Sequence, residues 1–156
     1  MLQQLLYQLK YNGKKDVGHY CGTLMGKCVN ESALRDVDAL LPLPLFPKKE
    51  RMRGYNQANL LCQGIASVTG KPVWTDAVQR SSFTNTQTRM NRVQRWQNME
   101  GRFIVSDADK LKGKHVLLID DVITTGATLE ACGSQIVEAG ARLSILALGY
   151  SSTRNM

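Results

Sequence analysis

The chemistry available to this 156-residue chain is concentrated in one run, His115 to Leu129. Apolar residues end there in two carboxylates, Asp120 and Asp121. Thr124-Thr125-Gly126-Ala127-Thr128 then leads into a segment with helical spacing. That order predicts a buried strand, a loop and a helix N-terminus. Such a terminus offers unpaired backbone N–H groups and a partial positive charge, which suit a phosphate. Two acids at the strand end can hold sugar hydroxyls or a hard divalent cation beside it. The bland alternative is that the threonines only cap the helix and the acids are solvated. The complete order favours a site for a phosphorylated sugar over that alternative. The sequence has neither a Walker-type G-x-x-x-x-G-K-[ST] nor a dinucleotide-type G-x-G-x-x-G.

A second feature is charge. The formal net charge is +7, and the section from Phe46 to Arg102 holds ten basic and three acidic residues, so it carries the whole excess. Nine of the ten basic residues, all but Lys71, fall in two clusters, Lys48 to Arg53 and Arg80 to Arg102, whose composition suggests loops. One basic section in an otherwise balanced chain points to an anionic partner, a polyphosphate ligand or nucleic acid. Tyr55, Phe83 and Trp96 could offer stacking faces to single-stranded DNA, although ordinary packing is the simpler role for lone aromatics.

The elements that must position these residues follow from periodicity. Leu2, Leu5, Leu6 and Leu9 predict a helix stopped by Asn12-Gly13. Asp16 is expected to cap a second helix with Val17, Tyr20, Cys21, Leu24 and Cys28 on its apolar face. Val37 to Leu45 reads as a buried strand that Pro42 and Pro44 shorten or place at an edge. A basic loop is expected from Phe46 to Gly54, a helix from Tyr55 to Val68 and a short strand from Pro72 to Val78. Gln79 to Gly101 is polar and arginine-rich, and long loops of this kind are commonly functional or disordered. Phe103 to Val105 reads as a strand, Asp107 to Lys114 as a charged turn, Ala127 to Ala139 as a helix ended by Gly140, and Leu143 to Tyr150 as a last strand. Alternating strands and helices predict one α/β domain with a parallel sheet covered on both faces. Ligands of such sheets bind at strand carboxyl ends, where Asp120, Asp121 and the Phe46–Gly54 loop fall.

No stretch is long and apolar enough for membrane insertion, and Met1 to Lys10 lacks the pattern of a secretory signal. Cys21, Cys28, Cys62 and Cys132 form no C-x-x-C pair and lie on helix faces, so a reducing cytoplasm is expected. His19 and His115 have no partner suggested by spacing. Homo-oligomerisation is left open.

The run Leu118 to Thr128 resembles the phosphoribosyl pyrophosphate (PRPP) motif of type I phosphoribosyltransferases. Pro42-Leu43-Pro44-Leu45, followed by Arg51-Met52-Arg53-Gly54-Tyr55-Asn56-Gln57-Ala58, is similar to the P-x-P…R-x-R-G-[FY]-N-Q-A signature of the ComF/GntX family. Leu9-Lys10-Tyr11-Asn12-Gly13 resembles that family's L-K-Y-x-G. Arg80, Thr84, Gln87, Arg92, Arg95, Asn98, Gly101 and Phe103 match its hood-loop pattern. The resemblance implies an α/β type I phosphoribosyltransferase fold, a central, mainly parallel sheet flanked by helices with a mobile hood loop. Residues 1–156 would form one domain, with residues 1–30 as N-terminal helices packing on it and 79–101 as the flexible loop.

The resemblance also implies roles. Thr124, Thr125, Gly126, Ala127 and Thr128 would cradle the ribose 5-phosphate. Asp120 and Asp121 would hold the ribose hydroxyls with Mg²⁺ nearby, directly or through water. Arg51, Arg53 and Gly54 would meet the pyrophosphate. Arg80, Gln87, Arg92 and Arg95 would belong to the closing flap, and Arg89 to the catalytic set. The implied activity is transfer of phosphoribosyl to an acceptor with release of pyrophosphate, in a family associated with competence for DNA uptake. A non-catalytic single-stranded-DNA-binding or PRPP-sensing protein is the alternative. The cysteine-rich zinc ribbon usual before L-K-Y-x-G is missing, so the chain is a shortened relative or part of a longer one. Met90 replaces a common leucine. Thr124 stands where purine-salvage relatives place an aspartate; threonine accepts protons poorly, which favours an anionic or amine acceptor over a 6-oxopurine.

Overall fold

The computed structural model describes residues 2–11, 14–29, 31–81 and 102–151. Its centre is β4 (His115–Ile123), where Val116, Leu117, Leu118 and Ile119 are all buried. Among the described residues, β4 pairs in parallel with β1 (Ala39–Pro42) on one side and β5 (Arg142–Tyr150) on the other. A strand with such neighbours must be apolar on both faces, and the sequence supplies that run. Successive side chains of a strand alternate in direction. Leu117 and Ile119 join a core with Leu9, Cys21, Met25, Leu61 and Ile65. These come from helices α1 (Leu2–Tyr11), α2 (Lys15–Cys28) and α5 (Gln57–Thr69). Val116 and Leu118 join a second core with Leu41, Val78, Phe103, Leu129, Cys132 and Ile136. That face is covered by α7 (Ala127–Glu138) and by an antiparallel hairpin of β2 (Val78–Ser81) and β3 (Arg102–Val105). The expected α/β architecture, a mainly parallel sheet between helices, is the one observed.

Several local expectations are corrected. β1 spans only Ala39–Pro42 of the Val37–Leu45 segment, shortened as its prolines predict because proline donates no ladder hydrogen bond. The Phe46–Gly54 segment is not a loop: Pro47 opens helix α4 (Pro47–Arg53), and Gly54, with φ 82°, closes it by donating its N–H to Glu50 O at 2.7 Å. Proline in the first turn and a left-handed glycine after the last are ordinary helix punctuation that the basic composition hid. The predicted Pro72–Val78 strand reduces to a single parallel bridge between Val73 and Leu40; regular strand structure begins at Val78. The charged turn contains a short helix, α6 (Ala108–Leu111), capped by the Asp107 carboxylate, which accepts the Lys110 N–H at 3.0 Å. A further short helix, α3 (Glu31–Leu34), precedes β1.

The largest correction concerns α2. Its N-cap is Lys14, and Asp16 lies inside the first turn. Tyr20, Leu24 and Cys28 are exposed, whereas Gly18, Gly22 and Gly26 are buried. The glycine row lets the α2 backbone press on α5. A Cβ on Gly22 would lie 2.2 Å from the Leu61 carbonyl oxygen, and one on Gly64 would lie 2.1 Å from that of His19. Asn56 caps α5 by accepting the Ala58 N–H at 3.0 Å and ties the helix to the end of β1 by donating to Leu43 O at 3.0 Å. The expectations for Asn12-Gly13 and for most of the hood loop, including Phe83, Gln87, Arg89, Arg92, Arg95 and Trp96, lie outside the described residues.

Candidate functional site

Both acids lie within β4, which runs on to Ile123, and not in the loop after it. Strand alternation starts their side chains toward opposite faces, but both carboxylates bend along the strand and stay close enough to interact. Asp121 points toward α1 and is only 3% exposed. Its Oδ1 accepts the Val122 N–H at 2.9 Å, and its Oδ2 lies 3.2 Å from Lys10 Nζ. That contact is an ion pair by distance but is not aligned as a hydrogen bond, so Oδ2 is a buried acceptor without a hydrogen-bond donor. Asp120 faces α7 and is half-buried; its Oδ1 accepts the Asp121 N–H at 2.8 Å. Burial, and then the neighbouring Asp121 charge, push the Asp120 carboxyl up to about 7 from an ordinary 3.8.

The turn after β4 forms a small cleft of about 40 Å³ lined by Asp120 and by residues 122–129. Gly126, at φ 82°, occupies the helix N-cap position, where a threonine side chain was the bland expectation. Thr125 Oγ1 accepts the Ala127 N–H at 3.3 Å, and the Glu130 N–H closes the first helical turn on Gly126 O at 2.9 Å. Thr124 and Thr125 are exposed, while Gly126, Ala127 and Thr128 are half-buried. The acid Asp120 and the phosphate-type turn thus share one cleft.

The basic residues are distributed differently from expectation. Arg51 and Arg53 lie on α4, which follows the carboxyl end of β1. Arg51 is exposed; Arg53 donates to Gln57 Oε1, and its guanidinium sits 5.9 Å from the Tyr11 ring centroid. Gly54 closes α4 with no neighbour near its missing Cβ, so conformation alone calls for glycine there. Arg80 is on paired strand β2, opposite Phe103, and not on a flap. Its guanidinium stacks 3.8 Å from the Phe46 ring centroid and 5.0 Å from that of Phe103. A larger cavity of about 200 Å³ opens between α4 and β2, lined by Pro42, Pro44, Glu50, Asn59, Thr75 and Arg80 among others.

Tyr55, offered as a stacking face, is buried, and its hydroxyl donates to Leu9 O at 2.7 Å. His115 does have partners: Ser144 Oγ at 2.8 Å and the Arg142 guanidinium at 3.1 Å, at the opposite end of β4 from the acids. Lys10 is the site residue whose role spacing could not find, because its partner lies more than a hundred positions away. The only sequence signal was its place in Leu9-Lys10-Tyr11.

The donor set fits a hard divalent cation. Asp120 carries a carboxyl whose charge is disfavoured until a cation or donors approach, while Asp121 Oδ2 is ion-paired with Lys10 at 3.2 Å and lacks only an aligned hydrogen bond. Among the described residues no three histidine, cysteine or acidic side chains cluster as a self-sufficient metal site. A cation here would take its other ligands from water and, when present, a bound phosphate sugar.

Residues 53–150 match the phosphoribosyl transferase domain family. The chain belongs to that family. Two curated relatives narrow the likeness within it. The chain is 27% identical over 144 residues to the DNA utilization protein YhgH of Escherichia coli K12, covering 90% of this chain and 63% of that protein. It is 34% identical over 104 residues to competence protein F of Haemophilus influenzae, covering 66% of this chain and 45% of that one. The likeness within the family is thus to DNA-utilization and competence proteins, and the chain spans less than two thirds of the length of these relatives. Its fold is similar to part of the glutamine PRPP amidotransferase of Bacillus subtilis, with a TM-score of 0.60 at 17% identity over 91% of this chain and 30% of that one.

Proposed function

We propose that this chain binds PRPP and transfers its phosphoribosyl group to an acceptor, releasing pyrophosphate. The observation that carries the reading is the shared cleft. Asp120 and the left-handed Gly126 turn open together at the carboxyl end of β4, beside a basic helix that follows the neighbouring strand. Backbone N–H groups of the Thr124–Thr128 turn would hold the 5-phosphate. Asp120 would accept hydrogen bonds from the ribose hydroxyls, with Asp121 directly behind it. The bond from ribose C1 to the pyrophosphate oxygen breaks, and its electron pair leaves with pyrophosphate. The acceptor's lone pair then forms the new bond to C1. Positive charge on the ribose in between is stabilised by the acid pair, and Arg51 and Arg53 of α4 are the cations available to the leaving group. Asp120 and Asp121 would hold Mg²⁺, directly or through water, and the charge neutralisation such an ion supplies would ease departure of pyrophosphate.

Thr124 supplies no general base, which supports an anionic or amine acceptor. Arg89, Gln87, Arg92 and Arg95 are proposed to complete the flap over the ligand. The names of the two curated relatives, a DNA utilization protein and a competence protein, with the basic central section, support a role in handling DNA, and we propose that the chain acts in the cytoplasm. No helix among the described residues is long and apolar enough to cross a membrane. The alternative of a single-stranded-DNA binder without turnover loses Tyr55 as a stacking face. Phosphorus NMR of PRPP with Mg²⁺ and a panel of amine and carboxylate acceptors separates the readings. Acceptor-dependent appearance of pyrophosphate supports the transferase; tight PRPP binding with no pyrophosphate above the protein-free rate leaves a sensor.

A further inference from the structure

The last turn of α1 touches three parts of the site with three consecutive residues. Leu9 O receives the buried Tyr55 hydroxyl at 2.7 Å, at the entrance to α5. Lys10 Nζ reaches Asp121 Oδ2 at 3.2 Å. The Tyr11 ring lies under the Arg53 guanidinium of α4 at 5.9 Å. Leu9 is fully buried, so the backbone at Lys10 is anchored on both sides and the ammonium is delivered from a fixed helix. Asp121 is enclosed, with its side chain 4% exposed against 28% for Lys10. A cation approaching Asp121 must therefore displace this lysine or do without that carboxylate. Asp120 opens into the cleft and forms no ion pair at contact distance among the described residues, although the Lys10 charge and the Asp121 carboxyl both act on it.

We propose that Lys10 is a positioning residue that serves as the resident counter-ion of Asp121, leaving Asp120 as the acid that recruits a divalent metal ion. The inference rests on the reading of the acid pair as a metal–sugar phosphate site. It divides labour between two adjacent acids: one is neutralised by the protein, and the other by the ligand's metal. It also makes the docking of α1 part of the site, since withdrawing Lys10 would leave two uncompensated carboxylates at adjacent positions.

Mn²⁺ serves as the probe, titrated alone without PRPP, with free ion counted by electron paramagnetic resonance. Lys10→Met is expected to tighten Mn²⁺ binding at least tenfold, because a like charge beside the site is removed. Lys10→Arg, which keeps the charge, should stay within threefold of the unmodified protein. Adding Asp121→Asn to Lys10→Met should cancel the gain. Mn²⁺ binding by Lys10→Met that is unchanged or weaker overturns the proposal. Should Lys10→Met fail to fold, single variants decide: Asp120→Asn must weaken Mn²⁺ binding at least tenfold more than Asp121→Asn, and equal losses overturn it. Because PRPP is left out, a failure of the PRPP reading appears separately, as absent PRPP binding with the Mn²⁺ pattern intact.

Discussion

The two faces of β4 are built by opposite means. Under α1, α2 and α5, backbone meets backbone across Gly22 and Gly64, and the one acid on that face is sealed against a lysine. Under α7 and the β2–β3 hairpin, side chains such as Phe103, Leu129 and Ile136 meet across the core, and the acid on that face opens into a cleft with a glycine-bearing turn. Asp120 and Asp121 are chemically identical and adjacent, yet one residue of strand period gives them different neighbours, burial and work.

The strongest way to break this contrast is to loosen the glycine-packed face. Gly22→Ala places a methyl group 2.2 Å from the Leu61 carbonyl oxygen, against a backbone that cannot step aside. Alanine's better helix propensity, worth roughly 1 kcal/mol, does not offset that overlap. A net loss of about 3 kcal/mol is expected in urea unfolding, with Lys10 and Asp121 pulled apart as α1 and α2 shift.

A smaller effect sharpens the contrast on the open face. The Asp120 carboxyl is raised to about 7 from 3.8. Its protonated form therefore contributes stability that is fully present below about 3.8 and lost as pH rises through about 7. Asp120→Asn should remove this dependence. The ligand-free variant should match the unmodified protein near pH 4 and exceed it at pH 8 by on the order of 2 kcal/mol, read from thermal melts across pH. A variant less stable at both pH values would contradict the assignment. The smallest effect is at the hairpin. Arg80→Met removes the guanidinium from Phe46 and Phe103, and should cost about 1 kcal/mol in the same unfolding experiment.

The sequence made some of this legible and hid the rest for physical reasons. β4, the Thr124–Thr128 turn and α7 were readable because a both-faces apolar run, an acid pair and a glycine-bearing turn follow one another within fifteen residues. The division between Asp120 and Asp121 was not, because it depends on β4 continuing through them and on a lysine from α1. The α2 face was misread because hydrophobicity favours Tyr20 and Leu24, while close backbone approach selects Gly18, Gly22 and Gly26. Helix α4 was missed although Pro47 and Gly54 mark its ends, since charge density suggested a loop. The pairing of Arg80 with Phe103 is a long-range property, so the polar, arginine-rich composition of 79–101 points to a flap instead.

Isothermal titration of PRPP with Mg²⁺ tests the central claim most directly. The account predicts saturable one-site binding to the unmodified protein, at least tenfold weaker without Mg²⁺ and lost in both Asp120→Asn and Gly126→Val, with both variants folded by circular dichroism. Absence of binding at millimolar PRPP, or binding that survives both substitutions, would contradict it.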